Sequence, residues 1–119
     1  MEQEVKDMRL ELQFDLDKPE IKLDYRRLIL SWLKAGLTRC NQGKYYERYF
    51  GGTEQKDYSF TVLLGRAKFT REKIYLPEPK MKVIFSADNR HKTGLIFYSS
   101  FLGMKNNPYP LPEGNTMTL

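Results

Sequence analysis

The sequence predicts an α+β domain made of four antiparallel strands and two main helices. Apolar and polar residues alternate strictly over residues 9–16, which is typical of a strand with one buried face. Apolar residues over 25–40 instead recur every three or four positions, which indicates one face of a helix. A chain of 119 residues that contains both patterns can bury a core and suggests a single domain.

The first strand and the first helix are the most strongly patterned segments. Residues 1–7 are expected to form a tail, and the domain is expected to span 8–119. The segment MRLELQFDL predicts the strand, whose buried face would hold Leu10, Leu12, Phe14 and Leu16. DKPEIKL is interpreted as a connector, and Asp24 is well suited to cap the helix that follows.

The middle of the chain predicts a short helix followed by a second strand. Asn41-Gln42-Gly43 is expected to end the first helix. KYYERYF can form two further helical turns, which Gly51-Gly52 would end. After a polar loop, YSFTVLL alternates as a strand, with one face made of Tyr58, Phe60, Val62 and Leu64.

The remaining segments complete the order of elements. Residues 66–76 predict a basic hairpin or an extended loop, and MKVIFSA predicts a third strand. Asp88 is expected to cap a helix that runs to about residue 105, and TMTL starts as a strand after the turn-rich NNPYPLPEGN. The order is βαββαβ, the ferredoxin-like arrangement, with both helices on one face of a four-stranded antiparallel sheet.

The charge is distributed unevenly along the chain. Residues 1–24 hold eight acidic and four basic residues, a net charge of −4. Residues 25–119 hold seven acidic and sixteen basic residues, a net charge of +9. A body this basic favours an anionic partner, and nucleic acid is the first candidate. A solvated basic surface with no such partner is the alternative interpretation.

Composition argues against several other classes of protein. One cysteine and one histidine exclude an internal disulfide and argue against a metal site, so no metal is expected. No apolar run reaches the roughly 18 residues that cross a bilayer, and the polar start MEQEVKD does not resemble a signal peptide. The cytoplasm is therefore the expected compartment. The chain has no glycine-rich nucleotide-binding motif, so no cofactor is expected.

Several local segments together resemble one known family. MRLEL, YRR, YYERYF, DYSFTVLL, the basic AKF segment, KVIFSA, GLIFYSSFLGMKN and NTMTL occur here in one order. In that order they resemble the N-terminal half of the CRISPR-associated endoribonucleases of the RAMP superfamily, which cut precursor CRISPR RNA within its repeats. The resemblance covers residues 8–119 and implies that CRISPR repeat RNA is the partner.

The resemblance also implies a chemistry. Members of the family usually carry two ferredoxin-like domains and cleave RNA without metal. The 2′-hydroxyl attacks the adjacent phosphate, which leaves a 2′,3′-cyclic phosphate and a 5′-hydroxyl. A general base, often His and sometimes helped by Tyr, takes the proton, and a Lys stabilises the developing charge. This chain would correspond to the first domain only, without the glycine-rich loop that the second domain carries.

The candidate catalytic residues lie around the short helix and the loop after it. The family usually places its catalytic His on this helix, and the matching positions here are Arg48 and Tyr49. Lys56 precedes YSFTVLL, where the family often has a lysine. Packing of the domain is the favoured role for the tyrosines. For Lys56, the favoured interpretation is a solvated lysine in a loop. Because the usual His is missing, we expect RNA binding with weak or no cleavage.

The candidate RNA-binding residues concentrate in the predicted basic hairpin. Cations there are interleaved with Phe69 and Tyr75, a pattern that can hold phosphates and stack on unpaired bases. The alternative is a solvated hairpin whose aromatic residues close the edge of the core. The full predicted set is Lys44, Arg66, Lys68, Arg71, Lys73, Arg90 and His91. For His91, a surface histidine in a basic turn is the favoured role.

A second hypothesis belongs to a different class of function. A half-length relative of the nuclease could take its place among CRISPR effector-complex subunits and act as a mimic or inhibitor through protein–protein contacts. A third is an unrelated partner for the basic surface. An exposed sheet face that a second domain normally covers would also favour a homodimer.

Overall fold

The computed structural model describes residues 8–50, 58–88 and 92–119, except for the side chains of residues 41, 42, 47 and 48. The predicted glycine stop of the short helix, at 51–52, therefore lies outside the described residues. In chain order the elements are β1 Met8–Leu16, β2 Glu20–Lys22, α1 Tyr25–Arg39, α2 Tyr46–Phe50, β3 Tyr58–Leu63, β4 Lys68–Phe69, β5 Lys73–Tyr75, β6 Lys80–Ala87, α3 Thr93–Met104, β7 Tyr109–Pro110 and β8 Thr116–Thr118.

The main sheet has the strand order β3-β6-β1-β8-β7, and every neighbouring pair is antiparallel. The long strands β1 and β6 pair from Met8 opposite Ala87 to Asp15 opposite Lys80. The four predicted strands therefore lie in the order second, third, first, fourth, as a ferredoxin-like fold requires. The predicted fold class is confirmed, and the short strand β7 extends the sheet at one edge.

Aromatic contacts join both long helices to one face of this sheet. Phe14 of β1 meets Trp32 of α1 edge-on, with ring centres 4.9 Å apart. Trp32 stacks on Phe101 of α3 at 5.4 Å, and Phe85 of β6 lies 4.9 Å from Phe97 of α3. One core thus lies between the sheet and the helix layer, as the alternation in β1 and the periodicity of α1 predict.

The opposite face of the main sheet is polar. The residues of β1 that point to this face are Arg9, Glu11, Gln13 and Asp15, all exposed. Lys82 of β6 forms an ion pair with Glu11 at 3.1 Å, and Ile84 is only half-buried. The apolar side chains that this face does expose are Ile84 and Leu63, which lies opposite Lys82.

The helices α1 and α3 approach closely at Gly36. A Cβ atom added at this position would collide with Ser100 Oγ and lie 3.3 Å from Met104 Cγ. Gly36, Ser100 and Met104 are all buried. The absence of a side chain at residue 36 is therefore what lets the two helices pack at this distance.

Two predictions about helix starts need correction. Asp24 occupies the N-cap position of α1 but makes no capping hydrogen bond through its side chain. The helix α3 begins at Thr93, with Lys92 as its N-cap in a left-handed conformation (φ 61°), so the prediction that Asp88 caps it is wrong. Thr93, the first residue of the helix, is buried and accepts a hydrogen bond from the Tyr49 hydroxyl.

Two segments interpreted as connectors contain strands. Residues Glu20–Lys22 of the DKPEIKL segment form β2, and the turn-rich segment near the C-terminus contains β7. The predicted hairpin is confirmed as β4 and β5, which pair through Lys68–Tyr75 and Phe69–Ile74. Strand β2 adds to this hairpin, and the resulting three-stranded sheet, in the order β2-β5-β4, is called the hairpin sheet below.

Candidate nucleic-acid interface

The hairpin sheet has one face in the core and one in solvent. Ile21 of β2 and Ile74 of β5 lie opposite each other, and both are buried. Because side chains alternate across a strand, the neighbours of these two isoleucines point to the other face. The solvent face therefore carries Glu20, Lys22, Lys68, Lys73 and Tyr75.

Two aromatic side chains of the hairpin sheet are open to solvent. Tyr75 is 45% exposed and Phe69, on the edge strand β4, is 61% exposed. Lys68 lies directly opposite Tyr75, and opposed side chains in an antiparallel pair are close neighbours. The sheet therefore places an exposed ring beside an exposed cation, which is the arrangement that single-stranded RNA sites use.

The turn of the hairpin is ordered by one hydroxyl group. Thr70 Oγ1 accepts hydrogen bonds from the backbone N–H groups of Glu72 at 3.3 Å and Lys73 at 3.0 Å. It also donates to the Lys73 carbonyl at 2.8 Å, and the Thr70 N–H donates to the same carbonyl at 2.9 Å. This network holds the turn so that Arg71, at its tip, is exposed.

Lys73 is held by two carboxylates. Its Nζ lies 2.6 Å from Glu113 Oε2 and 3.2 Å from Glu20 Oε1. The hydrogen bonds from Lys73 hold the pKa of Glu113 below its ordinary value. The same bonds, first to Glu113 and then to Glu20, raise the pKa of Lys73. The positive charge of Lys73 is thus largely compensated within the protein.

The segment that supplies Glu113 is itself strained and held in place. Glu113 has a left-handed backbone, with φ of 63°, which is uncommon for a residue other than glycine. Lys18 Nζ donates to the Glu113 carbonyl oxygen at 3.0 Å, in addition to the contact with Lys73. Cations from two other parts of the chain therefore fix this turn.

Asn115 joins the hairpin sheet to the main sheet. Its Oδ1 accepts a hydrogen bond from the Lys18 N–H at 2.8 Å, and its Nδ2 donates to the Glu20 carbonyl at 2.8 Å. The side chain is 6% exposed and lies directly before β8. A buried amide with both ends bonded is a strong positional constraint. The hairpin sheet is consequently a fixed platform.

The open face of the main sheet lacks the aromatic residues of a typical RNA-recognition sheet. Within the described residues, the aromatic side chains of the central strands, Phe14 and Phe85, are buried in the core. The outward positions of these strands carry charged, polar or aliphatic residues. The hairpin sheet, and not the main sheet, therefore presents rings to solvent.

Tyr49 lies in the core. It is 5% exposed, and its hydroxyl donates to Thr93 Oγ1 at 2.8 Å. Its ring contacts Phe97, with centres 5.0 Å apart, and Tyr58 at 6.1 Å. A buried phenol with these contacts is placed to support packing, the role that the sequence analysis favoured.

Tyr58 is a second tyrosine of this cluster, and its chemistry is unsuited to a base at neutral pH. Its ring stacks on Phe85 at 5.9 Å and lies 5.0 Å from Phe97. Burial raises the pKa of Tyr58 to about 12, because the low-polarity surroundings disfavour the phenolate. A tyrosine that serves as a base requires a shift in the opposite direction.

The other predicted residues are divided between the described and the undescribed parts. Lys44 is exposed, with Nζ 5.4 Å from the centre of the Tyr45 ring, and Arg66 is exposed just before β4. The side chain of Arg48, and Lys56, Arg90 and His91 as a whole, lie outside the described residues. Among the predicted RNA-binding residues, the structure thus gathers Arg66, Lys68, Arg71 and Lys73 on or beside the hairpin sheet.

Sequence reasoning missed four residues of this region. Lys22 was placed in a connector, although β2 puts it opposite Lys73. Glu20, Glu113 and Asn115 had no assigned role. The isolated Ile21 between polar residues was the only local signal for β2, and a three-residue pattern is too short to distinguish a strand from a loop.

The chain was compared with known proteins. No family model matches it, and no curated protein matches it. A solved structure described as "CRISPR associated protein Cas6" matches with a TM-score of 0.64 and 15% sequence identity. The match covers 96% of this chain and 47% of that one, so the chain spans about half the length of that protein. At this identity the match shows a shared fold, and that fold agrees with the resemblance seen in the sequence.

Two kinds of feature are absent from the described residues. Within residues 8–50, 58–88 and 92–119, no helix is both long and apolar enough to cross a membrane. In the same ranges, His, Cys, Asp and Glu side chains do not form a cluster of three that could hold a metal ion.

Proposed function

We propose that this chain is an RNA-binding module related to the CRISPR repeat-processing endoribonucleases. The hairpin sheet would bind a single-stranded part of the repeat RNA. The observation that carries the proposal is the exposed pair of Tyr75 and Lys68 on a platform that Asn115 fixes. The shared fold with the structure described as Cas6 supports the same conclusion.

The chemistry of the platform suits an unpaired RNA segment. An exposed tyrosine or phenylalanine ring can stack on any base, with a contribution of about 1–3 kcal/mol per base. Tyr75 offers such a ring on the solvent face, whereas Phe69 lies opposite Ile74, points to the other face and is exposed at the edge strand. Lys68 beside Tyr75 and Arg71 at the turn would contact phosphates on either side of the stacked bases.

Charge supports an RNA partner over a neutral one. The region 25–119 carries a net charge of +9, and it includes the exposed Lys68 and Arg71 of the hairpin. Contacts to phosphates release counterions, so binding to single strands weakens with a logarithmic salt slope of roughly 0.7 per phosphate neutralised. Three or four such contacts would give a slope of about 2 to 3.

We further propose that the chain binds repeat RNA with weak or no cleavage. Tyr49 is buried and hydrogen-bonded, and the raised pKa of Tyr58 keeps its hydroxyl protonated at neutral pH. Neither phenol is therefore placed to take the 2′-hydroxyl proton. Lys56 and Arg48 stay as candidates for contacts to the phosphate.

The experiment uses a 5′-labelled CRISPR repeat RNA, with binding measured by fluorescence anisotropy. The variant Lys68→Glu with Arg71→Glu reverses two exposed cations of the hairpin sheet, and we expect affinity to fall at least tenfold. Lys34→Glu with Lys105→Glu, on α1 and directly after α3, is the matched double charge reversal and should change affinity less than threefold. Equal losses in both variants would contradict the assignment of the site to the hairpin sheet.

Cleavage is tested separately, with the same RNA in the presence of a chelator. We expect the RNA to stay intact over a period in which binding is complete. Efficient formation of a 2′,3′-cyclic phosphate product would refute the inactivity proposal and would leave the binding proposal in place.

A further inference from the structure

One row of side chains crosses the solvent face of the hairpin sheet from edge to edge. Lys68 of β4 and Glu20 of β2 both lie opposite Tyr75 of the central strand β5. Opposed side chains in an antiparallel pair have Cβ atoms roughly 4.5–5.5 Å apart. The row, called the Tyr75 row below, therefore places a cation on one side of an exposed ring and a carboxylate on the other.

The carboxylate of the Tyr75 row is unsuited to contact the RNA backbone. Lys68 attracts a phosphate and the Tyr75 ring can stack on any base, whereas Glu20 repels a phosphate. The edges of bases, however, carry N–H donors, which an ionised carboxylate accepts. A carboxylate beside a stacking ring is thus placed to contact the edge of the stacked base, and it bears on which base the platform prefers.

Glu20 is held in place before any RNA binds. Its N–H donates to the Lys18 carbonyl at 2.8 Å, and its own carbonyl oxygen accepts a hydrogen bond from Asn115 Nδ2 at 2.8 Å. Lys73 Nζ holds the carboxylate through Oε1 at 3.2 Å. A base contact at Glu20 therefore requires little further ordering of the protein, which favours affinity.

The Glu20 carboxylate has acceptor capacity to spare. A carboxylate has about four lone-pair sites, and within the described residues it accepts one hydrogen bond, from Lys73 to Oε1. Lys73 lies closer to Glu113, with 2.6 Å between Nζ and Oε2. The side chain of Glu20 is 24% exposed, so a base can reach the remaining lone pairs from solvent.

The surroundings of Glu20 leave room for the edge of a base. β2 is an edge strand of the hairpin sheet, and Glu20 borders an open cleft on its far side. The other walls of this cleft include Leu28 of α1 and Pro112. Within the described part of the chain, a base that extends from Tyr75 toward Glu20 therefore meets no neighbouring strand.

We propose that the Tyr75 row selects guanine, with the base stacked on Tyr75 and its Watson–Crick edge on Glu20. The inference rests on the proposed RNA-binding function of the hairpin sheet and adds a base preference to it. Guanine has two adjacent donors on that edge, N1–H and N2–H, which match the two oxygens of one carboxylate. Adenine and cytosine each present one amino donor there, and uracil presents one imino donor, so these bases lack the paired contact.

The test compares four 5′-labelled RNA octamers in anisotropy titrations: UUGUUGUU, UUAUUAUU, UUCUUCUU and all-uridine. We expect the native chain to bind the guanine octamer about threefold or more tightly than each of the others. The measured preference is smaller than the preference at the site itself, because uridine occupies the Tyr75 row in some binding registers.

The same octamer with inosine in place of guanosine tests the paired contact without any change to the protein. Inosine lacks only the N2 amino group of guanine, so this octamer should lose the preference.

Two variants with the same change in net charge test the role of Glu20. Glu20→Gln replaces one acceptor oxygen with an amide donor, and it should bring the four octamers to nearly equal affinity. Glu113→Gln is the matched control, because it removes the other carboxylate that contacts Lys73. It should strengthen binding to all four octamers alike and keep the guanine preference. Circular dichroism checks that each variant is folded.

The outcomes separate this proposal from the one on which it rests. Equal binding of the four octamers by the native chain would overturn the base preference and leave the RNA-binding proposal in place. A preference that inosine retains, that survives Glu20→Gln, or that Glu113→Gln removes equally would overturn the assignment to Glu20. No binding to any octamer would overturn both proposals.

Discussion

Lys73 of the hairpin sheet and Glu113 of the C-terminal segment are joined by an ion pair of 2.6 Å. Glu20 adds a second carboxylate 3.2 Å from the same Nζ atom. The three residues come from parts of the chain that are far apart in sequence, and they meet on the solvent face of the proposed RNA platform. The ion pair between Lys73 and Glu113 anchors that platform, and it also compensates the charge of one cation that could otherwise contact RNA.

Removal of the Glu113 carboxylate should therefore strengthen RNA binding. The Glu113→Gln variant leaves the side chain nearly isosteric, deletes one negative charge and frees part of the Lys73 charge. We expect affinity for repeat RNA to rise by about threefold at low salt, with the gain lost at high salt.

The control for this prediction is Glu11→Gln. Glu11 also pairs with a lysine, Lys82, but on the open face of the main sheet. An equal gain in both variants would mean that net charge alone determines affinity. No gain in Glu113→Gln would mean that RNA does not reach the solvent face of the hairpin sheet.

The exposed ring of Tyr75 should contribute to affinity through stacking. Tyr75→Ala is expected to weaken binding to single-stranded repeat RNA by about tenfold, which corresponds to roughly 1.4 kcal/mol. Tyr98→Ala is a matched control, since Tyr98 is 44% exposed and Tyr75 is 45% exposed. Anisotropy titrations with the labelled RNA held at low nanomolar concentration measure both. A comparable loss in the two variants would argue against a specific stacking site.

Tyr58 should make the protein less stable at alkaline pH. Burial raises the pKa of Tyr58 from 10.0 to about 12, so the folded state favours the neutral phenol. The resulting stability is fully present below pH 10.0 and is lost as pH rises from there through about 12. Because the ring is only half-buried, we expect a loss of about 1 kcal/mol, less than a fully buried ring with this change in pKa would give.

The measurement is urea unfolding as a function of pH, with Tyr58→Phe as the comparison. The variant should show a shallower loss of stability above pH 10. The raised pKa of Lys73 adds an alkaline loss of its own, but this is common to both proteins and cancels in the difference. Parallel profiles for the two proteins would show that Tyr58 ionises as freely in the folded state as in the unfolded one.

The close contact between α1 and α3 predicts a coupled effect of two substitutions. Gly36→Ala places a Cβ atom against Ser100 Oγ, and we expect it to lower the free energy of unfolding by about 1–3 kcal/mol. The intrinsic helix preference for alanine, worth about 1 kcal/mol, offsets part of the clash.

Ser100→Ala tests the same contact from the other side. Ser100 Oγ is buried and has no hydrogen-bond partner within the described part of the chain, so its removal should be nearly neutral. In the double variant, the Cβ of residue 100 would stay 3.6 Å from the new methyl group, and most of the lost stability should return. Additive effects in denaturant melts would contradict the contact.

The strands of the main sheet and the first helix could be predicted because their patterns are local. The alternation over β1 and the periodicity of α1 each specify a buried face without information from the rest of the chain. Strand β2 could not be predicted, because it has only three residues and depends on pairing with β5, about fifty residues later. The start of α3 was missed as well, because its N-cap residue is Lys92, which is not a residue type that favours this position.

The candidate site, like the fold, could be predicted only where its signals are local in sequence. Composition identified the cations and rings of residues 66–76, because a basic hairpin is a local feature. The compensation of Lys73 by Glu113 was not predictable, because forty residues separate the two side chains in sequence and the fold alone brings them together. The exposure of Tyr75 likewise depends on which face of the hairpin packs against the core, and the fold puts the neighbouring Ile74 on the buried face.

The most direct test of the RNA-binding proposal is a filter-binding titration of this chain against CRISPR repeat RNA and a scrambled RNA of equal length, at two salt concentrations. The proposal predicts tight binding that prefers the repeat and weakens with salt. Equal binding to both RNAs, or no binding to either, would contradict it and would favour a protein partner in place of RNA.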